Sequence, residues 1–488
     1  MFTSEPPSRI ECQLAGQDLE ARIITGHGNT GDQDAHLCSF DKKSQEPTLF
    51  CKVLSYPVQG TVKVHSTSWL DGVRGVAAFE VYLYHTLLMW SDHLRPAFHS
   101  SPDQNHLLQF PIIRPFLASG CTAVSLFFVI SGYVLTQRSI RSIRERAPKQ
   151  VYSAVASSVF RRGFRLYLPP IIVTFCEMIT IRFGFCLGYN GLVDFVCYQE
   201  ENLPAQFVDW LKETVRLFNV FHMHDFSNGV IRYPKYEPVS WTIPIEFYGS
   251  LLCYFLLFLL APVAATYMRM GFVAIVVVLC MLVGSWHFSC FMAGMLVADY
   301  NLGQQGSKTQ TTKYSFLWIL LFLVAFYIAG LPYFTYGGTP PMPMPGYETF
   351  RWLTPSFLHM DDQARFMWSL SGMSLLLSIS QLPRLKALFE TNFCQYLGKI
   401  SFSLYLIHHF CMGLFGSWMQ EALLHLAGVQ EHAETFPYWL VCGVWYILFS
   451  LLVFALAGQV ARWVDRPSVR FARWLEEKVL AALSLTKR

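Results

Sequence analysis

The sequence predicts an all-α polytopic membrane protein: a transmembrane helical bundle of about ten spans with both termini in the cytosol. Of its 488 residues, 53% are hydrophobic and only 14% are charged, whereas an ordinary soluble domain is about 25% charged. Apolar runs of membrane-spanning length recur along the chain. Basic residues concentrate in alternate connections between these runs, which is the distribution that orients membrane helices.

The chain divides into three predicted segments. Residues 1–68 are polar, mixed in charge and without sustained periodicity, which is typical of a partly disordered cytosolic leader. Because this leader has no apolar signal-peptide core, we expect the first span to act as an uncleaved insertion signal. Residues 69–467 form the predicted membrane domain. Residues 468–488 form an amphipathic cytosolic tail that we expect to lie on the membrane surface.

The predicted spans follow one another in order of the apolar runs. They are 72–90, 119–137, 166–187, 240–262, 270–284, 286–300, 315–332, 366–381, 398–418 and 438–461. The long connection after the third span is expected to hold a short amphipathic helix near 207–221.

Charge decides whether 270–300 forms one span or two, with a hinge at Gly284-Ser285. With two spans, the cytosolic loops and tail together carry twenty-one Lys or Arg when Lys399 at the span edge is counted with them, and the opposite loops carry eight. With one span, the basic tail would lie opposite the arginine-rich loop 138–165. The positive-inside asymmetry therefore favours ten spans.

The first span carries two ionisable residues on one face. Arg74 and His85 are eleven residues apart, so their side chains leave the helix in nearly the same direction, with a rise of roughly 16 Å between them. A neutral imidazole can accept the proton of an attacking hydroxyl, and a guanidinium at the cytosolic end can bind a phosphate or a carboxylate. The alternatives are a structural buried histidine and an arginine that reaches the headgroups. Glu80 lies about 140° around the helix from His85, so we place it in a different pocket.

The stretch RRGFRLYLPP brings three arginines to the cytosolic start of the third span. Arg161 and Arg165 are four residues apart and share a helix face. Planar guanidinium groups in a row suit a polyphosphate. The alternative is a role in topology or in binding anionic lipid, which charge alone favours.

Glu246 is a carboxylate inside the fourth span. A buried carboxylate needs a partner, so this residue could pair with a histidine or an arginine, or hold a substrate hydroxyl. Pro244 frees a backbone carbonyl and could open a polar pocket here. The alternative is a structural ion pair between helices.

The remaining polar residues of the spans are expected to be structural. His408 and His409 end the run SFSLYLIHH, where placement at the membrane interface is favoured over a place in a cavity. Ser131-Gly132 is expected to permit close helix packing rather than to supply a nucleophile. The thirteen cysteines include no CxxC pair, so no metal site is predicted. Cys186 and Cys197 are expected to be free thiols, or paired if they face an oxidising lumen.

Six motifs in order make the chain similar to the acyltransferase-3 family of integral-membrane acyltransferases. They are LDGVRGVAAFEVYLYH (70–85), FFVISGYVL (127–135), RRGFRLYLPP (161–170), SWTIPIEF (240–247), LGKISFSLYLIHH (397–409) and DRP (465–467). Many members have two acidic residues where this chain has Glu246-Phe247. The absence of a fused hydrolase-like domain in this sequence and the IPIEF variant resemble the compact fungal members, several of which acetylate secondary metabolites.

The resemblance implies transfer of an acyl group, usually acetyl, from acyl-CoA to a hydroxyl. By position, His85 would be the catalytic base with Glu246 as a second catalytic residue. Arg74, Arg161 and Arg165 would bind the CoA co-substrate. The expected partners are acyl-CoA, a hydroxylated small molecule such as a terpenoid or polyketide, and membrane lipids. No nucleic acid, bound cofactor or metal is expected. The expected location is an endomembrane such as the endoplasmic reticulum.

Two alternatives remain open from the sequence. One is the same chemistry on a polysaccharide or lipid at the lumenal face. The other is a transporter of small solutes, although inverted repeats and matched Gly-interrupted spans are not evident.

Overall fold

The computed structural model describes most of the predicted membrane domain and little of the leader. The described residues are 56, 65–186, 188–189, 196–219, 233–304, 315–334, 343–358, 363–431 and 433–485. Apart from Tyr56 and residues 65–68, the predicted leader therefore lies outside the described residues.

The described part of the chain is built from helices and contains no β-strand. The longer helices are α1 (Ser68–Leu88), α2 (Gly120–Arg144), α3 (Pro148–Arg182), α4 (Leu203–Phe218), α5 (Thr242–Leu260), α6 (Thr266–Leu282), α7 (Trp286–Gln304), α8 (Ser315–Ala329), α9 (Ala364–Gln381), α10 (Asn392–Cys411), α11 (Ser417–Ala427), α12 (Phe436–Val460) and α13 (Arg466–Leu485). Shorter α-helices cover Arg114–Leu117, Glu348–Leu353 and Pro383–Phe389, and 3-10 turns cover Asp92–Leu94, Leu107–Gln109 and Pro238–Trp241. The π-helical segments Met412–Gly416 and Ala461–Asp465 join α10 to α11 and α12 to α13.

Five stretches of helix within the described residues are long and apolar enough to cross a membrane. They are Gly120–Arg144, Pro148–Arg182, Pro238–Leu260, Asn392–Ala427 and Phe436–Leu483. Two further apolar helices, α6 and α8, are shorter. The helices α1, α7 and α9 lie outside this set and bury most of their residues against other helices. The predicted all-α architecture is confirmed, with five helical stretches able to span a membrane.

Residues 266–304 form an antiparallel hairpin. Gly284, between α6 and α7, has φ +77°, a backbone conformation that favours glycine. Near the open end, Arg269 Nε lies 2.7 Å from Asp299 Oδ2, and Arg144 at the end of α2 lies 2.7 Å from Asp299 Oδ1. The break predicted at Gly284-Ser285 is therefore present, and the ion pairs hold three helix ends together.

Helix α1 packs closely against α10, and the two run parallel. A Cβ on Gly75 would lie 2.2 Å from the backbone nitrogen of Gly398, and a Cβ on Gly398 would lie 2.4 Å from the carbonyl oxygen of Asp71. Both distances are too short for any carbon side chain, so this approach requires glycine at both positions. The pair consequently brings side chains of α1 and α10 together along its whole length.

Helix α3 begins at Pro148, well before the predicted start at residue 166. Its 35 residues extend over roughly 52 Å, whereas the apolar core of a bilayer is about 30 Å thick. Its arginine-bearing first half is thus expected to extend beyond that core. Arg161 in this half pairs with Glu476 of α13, with Nε and Oε2 3.2 Å apart, so the tail is a helix packed beside α3.

A disulfide closes the loop after α3. Cys186 is bonded to Cys197, so the expectation of free thiols is wrong for this pair. The two Cα atoms lie 6.2 Å apart, within the range that a disulfide can bridge. The predicted amphipathic helix follows as α4 and begins four residues earlier than expected. Its Trp210 donates a hydrogen bond to Thr174 Oγ1 of α3 at 3.1 Å.

Candidate active site

The first half of the candidate site is a cavity of about 220 Å³ beside Arg74. Arg74 donates from Nε to Ser401 Oγ and from Nη2 to the carbonyl oxygen of Gly398, both at 3.0 Å. It also pairs with Asp71 at 3.1 Å, and 37% of its side chain remains exposed. Arg165 lines the same cavity and forms no hydrogen bond or ion pair within the described residues. The structure thus brings together two of the three arginines predicted to bind a donor.

Glu246 lies in this arginine cavity and not beside His85. Arg162 Nη2 lies 2.5 Å from Glu246 Oε1, and Ser131 donates to the same oxygen at 2.6 Å. Arg162 also donates from Nε to Ser250 Oγ at 2.9 Å. The carboxylate therefore has the charged partner that burial demands, and its position supports a role in holding α2, α3 and α5 around the cavity.

Arg161 points away from Arg74 and Arg165. Its guanidinium bonds to Ser157 and Glu476 and lines a neighbouring cavity of about 670 Å³, together with Arg138 and Lys149. Two residues, Val134 and Leu135, line both cavities. The two basic cavities therefore adjoin, and Arg162 takes the place in the Arg74 cavity that was predicted for Arg161.

His85 forms the second half of the candidate site, near the far end of α1. Its side chain is buried, and Nδ1 lies 3.0 Å from Nε2 of His409 on α10. Nδ1 of His409 is hydrogen-bonded in turn to the hydroxyl of Tyr189. The expectation that His408 and His409 lie at the membrane interface is wrong, because close packing of α1 on α10 buries both rings completely.

His408 faces the same cluster with its orientation set by its own helix. Nδ1 lies 2.7 Å from the carbonyl oxygen of Tyr405. A carbonyl can only accept, so Nδ1 carries the proton and Nε2 carries the lone pair. That Nε2 is buried and has no hydrogen-bond partner among the described residues.

The three histidines are the group within the described residues that could hold a metal ion. Their nitrogen atoms lie within 4.8 Å of one another. Two nitrogens bound to one zinc ion can be at most about 4.2 Å apart, so the rings would have to close in. In the present arrangement, His85 and His409 bond to each other instead.

His85 lines a small cavity of about 40 Å³. Its walls are mainly aromatic and apolar, from Tyr84, Tyr233, Trp241 and Tyr333 among others. Arg365 also reaches this cavity and lies 5.0–5.6 Å from the rings of Trp241, Trp286 and Trp368, a geometry in which ring faces stabilise a buried cation.

The arginine cavity and the His85 cavity meet at two side chains. Val124 and Tyr405 are the described residues that line both. The Tyr405 hydroxyl lies 3.1 Å from the carbonyl oxygen of Val239 and 3.0 Å from Thr242 Oγ1. Tyr405 therefore forms the partition between a polar, basic chamber and a small aromatic one.

Buried carboxylates support the histidine cluster from behind. The backbone nitrogen of Glu237 donates to Glu177 Oε1 of α3 at 3.0 Å, and Glu237 Oε2 accepts from the backbone nitrogen of Phe410 at 3.2 Å. Phe410 follows His409 directly, so Glu237 helps to fix the end of α10. Burial, together with the Glu177 carboxylate, raises the pKa of Glu237 well above its ordinary value.

Of the side chains that line or adjoin the two cavities, the sequence singled out Arg74, Arg165 and His85 as site residues, but not Arg162, Tyr405 or His409. One signal was present for the last of these. Gly398 and His409 are eleven residues apart, the same interval as Arg74 and His85. When two parallel helices touch at one pair of residues, a second pair that lies the same number of residues further along each helix also comes into contact.

Comparisons with known proteins find relatives over most of the chain. A family model described as an acyltransferase domain matches residues 67–456. The chain is 29% identical to the O-acetyltransferase PaAT-1 of Phomopsis amygdali over 86% of each protein. It is 26% identical to the acyltransferase clz18 of Cochliobolus lunatus, over 82% of this chain and 94% of clz18. It is 24% identical to the acyltransferase R4 of a Phoma species, over 83% of this chain and 94% of R4. No solved structure matches the chain.

Proposed function

Because this chain belongs to the acyltransferase-3 family of membrane acyltransferases, we propose that it moves an acetyl group from acetyl-CoA to a hydroxyl of a hydrophobic small molecule. The proposed acceptor class is a secondary metabolite such as a terpenoid or polyketide. The naming of PaAT-1 as an O-acetyltransferase supports the choice of acetyl and of a hydroxyl. The proposed location is an endomembrane such as the endoplasmic reticulum.

One observation carries the proposal: a cavity with available guanidinium groups meets the His85 cavity at Tyr405. Arg165 has no hydrogen bond or ion pair within the described residues, and Arg74 is partly exposed. Guanidinium groups are well suited to a diphosphate. The adjoining cavity with Arg138, Lys149 and Arg161 offers further positive charge for the nucleotide end of CoA, which keeps Arg161 among the proposed donor-binding residues.

The proposed reaction is direct acyl transfer. Nε2 of His85 accepts the proton of the acceptor hydroxyl as its oxygen attacks the thioester carbonyl, forming a C–O bond. The tetrahedral intermediate then breaks its C–S bond, and the CoA thiolate takes the proton back from His85 to leave as a thiol. Arg365 lines the same cavity and is the candidate residue for stabilising the negative charge on the oxyanion.

The size of the His85 cavity supports acetyl over a long acyl chain. One water molecule needs roughly 10–15 Å³ of cavity volume. A cavity of about 40 Å³ therefore holds about three atoms of that size. An acetyl group has three. A fatty acyl chain would require the aromatic walls to move.

Contacts between helix ends support ten spans with both termini in the cytosol. Arg144, Arg269 and Asp299 come from three predicted cytosolic ends and meet in one ion-pair cluster. On the opposite side, Arg114 donates to the carbonyl oxygens of Leu94, in a predicted lumenal loop, and of Gly330, at the lumenal end of the predicted span 315–332. A disulfide forms in oxidising compartments, so Cys186–Cys197 also supports a lumenal loop. Epitope tags at both termini of protein in sealed microsomes should be cleaved by added protease, and protection of either tag would overturn this topology.

The decisive test uses microsomes, labelled acetyl-CoA and a panel of hydroxylated terpenoids and polyketides. Wild type should transfer label to at least one acceptor, and His85→Ala should lose nearly all of this activity and retain only a low residual rate. Arg74→Ala and Arg165→Ala should raise KM for acetyl-CoA more than KM for the acceptor. Arg384→Ala, an exposed arginine outside the lining of these cavities, is the matched control and should leave both values unchanged.

Full transfer by His85→Ala would refute the base assignment. Equal effects of the cavity arginines on both KM values would argue for a topological role instead.

A further inference from the structure

His85 is the end of a hydrogen-bonded chain of three side chains. Its Nδ1 lies 3.0 Å from His409 Nε2, and His409 Nδ1 is bonded to the Tyr189 hydroxyl. The two rings are tilted at 71° with their centres 4.3 Å apart, so they meet edge to face rather than stacked. Both rings are buried, where a hydrogen bond is stronger than in water.

The bond to His409 determines which nitrogen of His85 can do chemistry. Nδ1 is occupied by that bond, so Nε2 is the nitrogen available to the cavity that His85 lines. A general base must present a lone pair to the substrate hydroxyl. Nε2 has that lone pair only when the proton of neutral His85 sits on Nδ1.

We propose that His409 is a positioning residue that holds His85 in the Nδ1–H tautomer, with Tyr189 orienting His409. This inference rests on the proposed acyl transfer and on His85 as its base. In this arrangement Nδ1–H of His85 donates to Nε2 of His409. Nδ1–H of His409 then donates to the oxygen of Tyr189.

The same chain stabilises the charged state that forms during the reaction. When Nε2 of His85 takes the proton of the hydroxyl, its Nδ1–H bond to His409 becomes charge-assisted and stronger. The proton returns from Nε2 to the leaving thiolate, so the chain gains and loses no atoms over one turnover. His409 thus has the function that an acidic residue has behind the histidine of a Ser-His-Asp triad, but without adding a negative charge to the buried cluster.

The neighbouring histidine shows that this arrangement is specific to His409. His408 directs Nδ1 to the carbonyl oxygens of Leu404 and Tyr405 in its own helix. Its ring centre is 5.3 Å from that of His85, and no hydrogen bond joins the two within the described residues. Of the two adjacent histidines, only His409 bonds to the base.

The test compares His409→Leu, which cannot accept a hydrogen bond, with His409→Gln, whose side-chain oxygen can. Acetyl transfer is measured in microsomes with saturating acceptor, and folding is checked by the elution profile of the detergent-solubilised protein. His409→Leu should lower kcat by about 10²-fold or more with KM for acetyl-CoA unchanged. His409→Gln should recover at least tenfold of that loss, and Tyr189→Phe should give a smaller loss. His287→Gln, at a buried histidine elsewhere in the chain, controls for the loss of a buried imidazole.

A second measurement separates positioning from a structural effect. Added to His85→Ala, the change His409→Leu should cause no further loss, because the two residues act as a unit. An additive loss, equal activity of the Leu and Gln variants, or a raised KM for acetyl-CoA would overturn the proposal. So would a stoichiometric metal ion in the purified protein, since the same nitrogens would then be its ligands.

These outcomes are distinguishable from failure of the proposed function. If wild type transfers acetyl and His85→Ala does not, the function holds and the His409 variants test this inference alone. If wild type transfers no acetyl, the proposed function fails. If His85→Ala transfers as well as wild type, acetyl transfer stands but the base assignment fails, and the inference fails with it.

Discussion

The contact between α1 and α10 can be tested by adding one methyl group. In Gly75→Ala the new Cβ would lie 2.2 Å from the nitrogen of Gly398 and 2.8 Å from Cβ of Leu397. The first of these atoms is backbone, so no rotation of a side chain can relieve the clash. Carbon atoms in ordinary contact are about 3.5–4.0 Å apart. The helices must therefore separate by more than about 1 Å at this point.

This separation has two effects, one on stability and one on the catalytic rate. Forcing extra volume into a packed contact costs about 1–3 kcal/mol. Separation of the helices as rigid bodies would also lengthen the 3.0 Å bond between His85 and His409 to roughly 4 Å, beyond hydrogen-bonding distance. A displacement of about 1 Å at a catalytic group can cost 10²-fold in rate. We expect Gly75→Ala to lose stability and to lose kcat by about 10- to 100-fold.

The assay is acetyl transfer alongside the thermal stability of the solubilised protein. The control is Gly443→Ala in α12, where a new Cβ meets nothing within 4 Å and should be neutral or slightly stabilising. If Gly75→Ala matched Gly443→Ala in both measurements, the reasoning that glycine is needed for this helix contact would be refuted.

Two further predictions concern the region behind the histidines. Burial raises the pKa of Glu237, so the folded chain keeps a proton on this carboxyl that the unfolded chain releases near pH 4.3. Glu237 therefore lowers the stability of the fold as pH rises from about 4.3 toward the pKa of Glu237 in the folded chain. Glu237→Gln should flatten the decline of the melting temperature as pH rises above about 4.3, and parallel curves for variant and wild type would contradict this. The disulfide joins cysteines 11 residues apart, so the double variant Cys186→Ser/Cys197→Ser should lose roughly 2–3 kcal/mol of stability. Reductant should destabilise wild type but not the double variant, and an equal response of both would show that the bond does not form.

Features set within one helix were predictable from the sequence. The spacing of Arg74 and His85 put them on one face because helix geometry is local, and the structure places them on one helix with a cavity at each. The hinge at Gly284 followed from a turn signal. These predictions needed no knowledge of which helices are neighbours.

Features that depend on pairs of distant helices were not predictable. His409 is 324 residues away from His85. Its burial depends on the glycine contacts between α1 and α10, and a single sequence does not show that these two helices pack together. The exchange of Arg161 for Arg162 has a similar cause, since adjacent residues point about 100° apart and only the neighbouring helices decide which faces the cavity. The disulfide depended on the fold of a loop with no regular periodicity.

The parallel packing of α1 and α10 also couples the two ends of the site. Both helices rise by the same amount per residue, so sliding one along the other would displace Arg74 from Ser401 and His85 from His409 together. A donor that binds at Arg74 and favours the aligned register therefore also favours the aligned base, roughly 16 Å away. By reciprocity, alignment of the histidines must strengthen donor binding by the same factor. In the proposed reaction, the helix pair would thus link binding of the donor at Arg74 to alignment of the base at His85.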